Sequence, residues 1–395
     1  MLAASAVLAA FIVIANWPLS PSTNLLTVIR SWTGRDFACF WSVSALALQG
    51  EAAAAYDVAR LHAVEVALVG AEIKTPAWVY PPPALLLVTP ISLLPYAVAL
   101  ALWLLAPLIG LALVLRRLAP HPLTPWLLPL FTGVSLCLGI GQNAVLLALL
   151  LGMGLLLLER RAVLAGCCLG LLACKPQLAV LVGPALLVAG HYRALAAMAA
   201  TVLALAAAST LAFGIDIWPA FFRASAWMSA ALASGELKYT LMATIFAAAR
   251  MASLPVTVAS VLQGAVTVIM LACVVQAWRR PLPFWLRGAV LAAAMPLATP
   301  YACGYDLALL ALPLAWLAGE QLRTGGRSSR FEFGVLVLAW LTPAAGWILA
   351  EATGVLLTPI APLLLLIVLW RRASGLLRDR DLPPIVTSEL AAAPL

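Results

Sequence analysis

The sequence predicts an all-α polytopic membrane protein with about twelve transmembrane helices and a long first extracytoplasmic loop. Three observations carry that prediction. The 395 residues are 65% hydrophobic and only 10% charged, with a mean hydropathy of +1.07, whereas soluble domains stay near half apolar and about a quarter charged. Apolar runs recur along the whole chain, with most arginines in short clusters between them. One early stretch, Gly34 to Pro83, breaks the pattern and gathers five carboxylates, three basic residues and a histidine.

Residues 1–395 read as a single integral-membrane domain, with a first extracytoplasmic loop over 18–80, a second extracytoplasmic stretch over 214–255 and a cytoplasmic tail over 371–395. Met1 to Trp17 has no basic n-region and no small-x-small site before Pro18, so it is expected as a retained first helix rather than a signal peptide. In the loop that follows, Phe37 to Leu48 reads as a helix. Asp57 to Val69 carries Val58, Leu61, Val64 and Leu68 at helical spacing, which predicts a helix lying on the membrane surface.

Pro83 to Pro95 is short and broken by prolines, so it is counted with Tyr96 to Leu115 as one crossing. Next come Leu123 to Gly139, Asn143 to Leu158, Val163 to Cys174, Leu178 to Gly190 and Ala194 to Phe213. After the second loop the expected spans are Val256 to Trp278, Phe284 to Thr299, Leu307 to Leu322, Phe333 to Glu351 and Val355 to Trp370. With the N-terminus inside, this count puts Arg116-Arg117, Arg160-Arg161, Arg193, Arg279-Arg280, Arg323, Arg327, Arg330 and Arg371-Arg372 on the cytoplasmic side, as the positive-inside rule requires. The same count leaves the loop of Asp36, Gln142-Asn143, Lys175, the 214–255 stretch and Tyr301 to Asp306 on the opposite face.

The formal net charge of +8 is accounted for by these topology signals, so no nucleic-acid partner is expected. The seven cysteines lie mostly inside apolar runs, with no zinc or disulfide spacing. No nucleotide-binding glycine pattern or metalloprotease signature occurs, and neither cofactor nor metal is expected. His62 and Glu65 could share a metal, but a solvated helix face is the better reading of two ligands.

Asp36 stands out, since a partly desolvated carboxylate has a raised pKa and can take a proton from a hydroxyl nucleophile. Arg35 beside it would pull the other way, and the competing reading is the N-cap of the helix that starts at Phe37. Lys175, between two short apolar runs and followed by Pro176, suits an anionic lipid phosphate; a snorkelling lysine is the alternative. Gln142 and Asn143 could hydrogen-bond a sugar or satisfy a helix break. Tyr80, before three prolines, offers an edge for a sugar ring or an interfacial anchor, and Trp41 belongs to the aromatic patch beside Asp36. Tyr305-Asp306 presents a second carboxylate to the same face, or the cap of a helix beginning at Leu307.

At these residues the chain resembles a known family. Gly34-Arg35-Asp36-Phe37, Phe40-Trp41, Gly50, Tyr56-Asp57, Tyr80-Pro81-Pro82, Pro90, Leu94-Pro95-Tyr96 and Trp103 stand in the order seen in glycosyltransferase family 87, the DUF2029 group. Gly141-Gln142-Asn143, Ala165-Gly166, Gly170 and Lys175-Pro176 continue the match, so that it runs from Gly34 to Pro184, with the later helices alike only in hydropathy. That group includes polyprenol-phosphate-mannose-dependent mannosyltransferases of actinobacteria. The resemblance implies a GT-C fold and transfer of a sugar, mannose in the first instance, from a polyprenyl-phosphate donor to a lipid or glycan acceptor with inversion. It implies an extracytoplasmic active site in a bacterial inner membrane, with Asp36 as general base, Lys175 and Arg35 on the donor phosphate, and Tyr80, Gln142, Asn143, Trp41, Tyr305 and Asp306 around the substrates. The histidine-containing late loop of the mannosyltransferases corresponds here to Ala298 to Asp306, which has no histidine. A transporter or lipid flippase, and a non-catalytic envelope-assembly partner, are the rival readings; the first expects internal repeats and midplane charges, and the chain shows neither.

Overall fold

The computed structural model describes residues 35–69, 77–325 and 328–381. The expected helix over Met1–Trp17, the beginning of the first loop and the end of the tail lie outside these residues. Among the described residues every regular element is helical, and the only strand-like pairing is an isolated bridge between Met242 and Cys303. Without water, backbone groups must find partners within their own segment, which a helix achieves.

Among the described residues five helices are long and apolar enough to cross a bilayer: Tyr96–Leu118, Tyr192–Phe213, Val256–Arg279, Arg330–Thr353 and the Ile360–Leu377 part of the last helix. Their 18 to 24 residues span roughly 27–36 Å, against a hydrocarbon core of about 30 Å. Five further apolar segments, Pro82–Leu93, Ala144–Leu157, Ala162–Cys174, Pro176–Val188 and Phe284–Ala298, have only 10–17 residues. This is an all-α membrane protein, but the described residues do not support the expected count of about twelve spans. Apolar runs were counted as crossings, whereas prolines and glycines cut several of them into half-length helices.

The cuts have local causes. Between the helix Pro82–Val88, with its 3-10 extension Thr89–Leu93, and the helix Tyr96–Leu118, Leu94 is extended because Pro95 follows it. The stretch expected as one crossing is therefore two elements. Helix Thr132–Ile140 ends on Gly141 in the left-handed region (φ 80°), where Gly141 and Gln142 both donate their N–H to the Cys137 carbonyl. The next helix, Ala144–Leu157, starts three residues later, so Gln142 and Asn143 stand in the break. Helix Ala162–Gly170 tightens into a 3-10 turn, Leu171–Cys174, and Pro176 forces Lys175 out of helical geometry (φ −138°, ψ 69°).

The half-length helices are tolerated because they pack inside the protein. Ala144–Leu157 buries Ala144, Leu147, Ala148, Leu151 and Leu155 in the large core, together with Leu307, Leu309 and Leu312 from the late part of the chain. Ala162–Gly170 lies against Tyr192–Phe213 through Gly166 and Gly170, a small-xxx-small pair. A Cβ on Gly166 would meet the Ala194 carbonyl and stand 2.6 Å from the Ala197 Cβ, and one on Gly170 would stand 2.6 Å from the Thr201 Cβ. Replacing a helical glycine by alanine gains about 1 kcal/mol of propensity, while overpacking costs about 1–3 kcal/mol. Gly166→Ala is expected to lower the thermal unfolding midpoint in detergent. Gly264→Ala, a helical position with nothing within 4 Å of the added carbon, should raise or preserve it.

The 214–255 stretch folds into helices of its own. Helix Ile217–Ser234 and helix Ile245–Met251, the latter capped by Thr244 Oγ1 accepting from Ala247 N–H at 3.1 Å, enclose a small core around Leu232, Met242 and Phe246. Ala243 N–H donates to the Ala302 carbonyl at 2.8 Å and Tyr301 Oη to Ser229 Oγ at 2.9 Å, joining this stretch to the late polar loop. The last helix, Ile360–Asp381, does not stop at Trp370 as expected but continues through Arg371-Arg372. Arg372 there bridges Glu320 and Glu332 and ties three helices together.

Candidate active site

Asp36 lies in the first turn of helix Arg35–Leu48, not at its cap. The helix buries Phe37, Ala38, Phe40, Val43 and Leu46, so apolar packing carries its first turn into the protein. There Gln142 Nε2 donates to Asp36 Oδ2 at 2.7 Å. The other end of that carboxamide, Oε1, accepts from Tyr80 Oη at 3.2 Å and from the Asn143 N–H at 3.3 Å. Tyr56 Oη in turn donates to the Tyr80 carbonyl at 2.9 Å. Gln142 is thus held from both ends, and its amide orientation follows from its partners.

Burial drives the Asp36 carboxyl above the usual carboxylate range, opposed by the Gln142 hydrogen bond and by the positive charges of Arg35 and Lys175. Burial also pushes the Tyr80 hydroxyl well above the phenol range, so it remains a donor.

Lys175 and Asp306, 131 residues apart, form a buried ion pair of 2.6 Å between Nζ and Oδ1. The lysine is 4% exposed and so does not snorkel. Its ammonium also lies 4.9 Å from the centre of the Tyr305 ring. The second carboxylate oxygen, Asp306 Oδ2, accepts from the Cys303 N–H at 2.9 Å and closes a capping box on the 3-10 helix Gly304–Leu310. Asp306 therefore takes the capping role considered for it, although the capped turn begins at Gly304 rather than Leu307, and its other oxygen is taken by Lys175. Lys175 and Asp36 are near enough for the lysine charge to act on the carboxyl.

Asn143 is buried beside Gln142, and its Oδ1 has no protein hydrogen-bond partner. Trp41 donates to the Leu94 carbonyl at 3.3 Å and packs edge-on to Tyr96 at 5.5 Å, on the outer side of the same helix. Arg35 is exposed at the start of that helix. The fold thus brings Asp36, Tyr80, Gln142 and Asn143 together with Lys175, Tyr305 and Asp306, while Trp41 is engaged in packing.

Several neighbours were not singled out as site residues. Phe40 packs on Trp103 at 4.9 Å and on Tyr80 at 5.4 Å, Trp78 lies 4.8 Å from Tyr80, and Trp103 Nε1 donates to the Gly141 carbonyl at 3.1 Å. These rings hold the break that presents Gln142. Glu65 was assigned to a solvated face, yet it is fully buried. His62 lies 4.0 Å from it, and Glu65 and Asp36 both act on the Cys39 thiol. Glu65 follows Leu61 by four residues, so the apolar stripe already placed it on the inner face. Among the described residues no group of three or more His, Cys, Asp or Glu side chains could hold a metal.

A family model described as glycosyltransferase family 87 matches residues 78–300, more than half of the chain. No curated protein and no solved structure matches. The matched region contains Tyr80, Gln142, Asn143 and Lys175; it begins after Asp36 and ends before Tyr305 and Asp306. Compared with the resemblance read over Gly34 to Pro184, it leaves out residues 34–77 and extends over later helices that had seemed alike only in hydropathy. On this match, the chain belongs to glycosyltransferase family 87.

Proposed function

We propose that the chain transfers a sugar, mannose in the first instance, from a polyprenyl-phosphate donor to a lipid or glycan acceptor, with inversion at the anomeric carbon. One observation carries this reading. A partly buried carboxylate, Asp36, is held by Gln142 within electrostatic reach of a buried lysine, Lys175, inside a membrane protein of glycosyltransferase family 87.

In the proposed reaction the acceptor hydroxyl oxygen attacks the anomeric carbon and its proton passes to Asp36. The bond from that carbon to the phosphate oxygen breaks on the opposite face, and the electron pair leaves with the polyprenyl phosphate. A neutral acid suits this proton transfer poorly, but a base whose pKa lies closer to the working pH takes the proton more readily. The leaving phosphate monoester gains negative charge and needs a cation rather than an acid. Lys175 carries three N–H donors; one goes to Asp306, and another serves a phosphate oxygen. Arg35, exposed at the helix start, is the second cation for that phosphate. Asn143 Oδ1, buried and lacking a protein donor, accepts a sugar hydroxyl. Tyr80, Tyr305 and Trp41 supply aromatic surface for the sugar and lipid.

The arginine clusters at helix ends support a site on the extracytoplasmic face of a bacterial inner membrane, within a GT-C-type architecture serving the cell envelope. Detergent-purified protein supplied with polyprenyl-phosphate mannose and an extract of membrane lipids and glycans is expected to yield a mannosylated product and free polyprenyl phosphate. Transfer from a nucleotide sugar without the lipid donor would refute the donor assignment. Product formation from polyprenyl-phosphate glucose but not mannose would refute the sugar.

A further inference from the structure

A groove of about 590 Å³ opens between helix Val256–Arg279 and the last helix, Ile360–Asp381. Its walls are apolar at one end, with Met270 and Cys273 on the first helix and Leu363 and Ile367 on the second, and polar at the other, with Arg371 and Ser374. Both helices pack on helix Phe284–Ala294, and their C-terminal ends lie together, because the Arg280 guanidinium, ten residues beyond Met270, lies 5.5 Å from the centre of the Trp370 ring, seven beyond Leu363. From Leu363 to Gly375 the groove follows the last helix for about 18 Å. It therefore starts within the apolar part of two membrane helices and ends past Arg371.

The charges at that end are not neutralised internally. Arg372 is taken by Glu320 and Glu332. Arg371, Arg279 and Arg280 have no carboxylate partner among the described residues; Arg371 stacks on the Phe331 ring at 4.7 Å and Arg280 on Trp370, contacts that orient a guanidinium without cancelling its charge. The groove contains no carboxylate. An apolar slot between two helices that runs up to Arg371, with Arg280 on the neighbouring Trp370 ring, complements a lipid with apolar chains and an anionic headgroup.

We propose that this groove binds an anionic phospholipid, acyl chain against Met270, Leu363 and Ile367, and phosphate headgroup at Arg371 and Arg280. The site does not depend on the transfer reaction and shares no residue with the candidate active site. A zwitterionic phospholipid can fill the slot and offer its phosphate, but its own ammonium group offsets that charge, so binding favours lipids of net negative charge.

Native mass spectrometry of the full chain in detergent, titrated with phosphatidylglycerol or phosphatidylcholine of matched acyl chains, tests this. A basic side chain beside an anionic lipid is worth about fivefold in affinity, so with two arginines the wild-type protein is expected to prefer phosphatidylglycerol by roughly twenty-five-fold. Arg280→Gln/Arg371→Gln should bring the two lipids to parity. Gly375→Phe should weaken both: nothing lies within 4 Å of a Cβ at that position, so the ring fills the groove without a clash, and the fold is expected to survive. Equal binding of the two lipids by the wild type, or unchanged phosphatidylglycerol binding in folded Gly375→Phe, would overturn the proposal. So would a polyprenyl phosphate that displaces phosphatidylglycerol from wild type and loses that ability in Gly375→Phe, since the groove would then belong to the donor.

Discussion

Asp36→Asn is expected to abolish sugar transfer while leaving the thermal unfolding midpoint unchanged or higher. The two effects have one physical origin. Burial raises the Asp36 carboxyl pKa, so the folded state disfavours the ionised form relative to the unfolded chain. The stability of the protonated state is fully present below the unfolded pKa of about 3.9 and is lost as pH rises through the raised folded value. Asparagine stays neutral and so avoids that loss near neutral pH, and its carbonyl can still accept from Gln142 Nε2. Losing a general base costs about 10²–10⁴ in rate. Mass-spectrometric product assays and unfolding in detergent measure the two sides independently. The wild-type rate should fall on the acid side over a range above that of an ordinary carboxylate, because the ionised form is the active one. Full activity in Asp36→Asn would remove the base assignment, whatever the stability result.

The second large effect concerns the Lys175–Asp306 pair. Removing one partner of a buried pair leaves the other charge uncompensated, at a cost of about 3–5 kcal/mol. Lys175→Ala and Asp306→Ala should each lower the unfolding midpoint sharply. Asp306→Ala should be worse, since it also deprives the Cys303 N–H of its acceptor and a lost cap costs about 1 kcal/mol. The double substitution Lys175→Met/Asp306→Leu removes both charges and should recover most of the stability. A folded double variant then isolates function: with the buried cation gone and only the exposed Arg35 left for the leaving phosphate, transfer should remain lost. Recovered transfer in that protein would make the pair purely structural. Single substitutions cannot distinguish these outcomes, because a misfolded protein is inactive for either reason.

The polar positions that the fold brings together were mostly readable from the chain, for a simple reason. In a sequence this apolar, Asp36, Gln142, Lys175 and Asp306 are costly exceptions, and a polar group at membrane depth must have a partner. What composition could not supply was the partner. The Asp36–Gln142 hydrogen bond spans 106 residues and the Lys175–Asp306 pair 131, so neither leaves a local pattern. Lys175 was read as open to a phosphate, and the fold spends one of its donors on Asp306.

By itself, the sequence determined the helical class, the membrane setting and the places where helices break, because hydropathy, Pro176, Pro95 and Gly141 act within a few residues. The tertiary structure decided the number of full-length spans, the burial of Glu65, and the meeting of the first loop with the breaks at Gln142 and Lys175 and with the late loop at Asp306. Those outcomes depend on which helix faces pack together, on close approaches such as that of Gly166 to Ala194, and on charges finding each other across more than a hundred residues. A local pattern carries none of these.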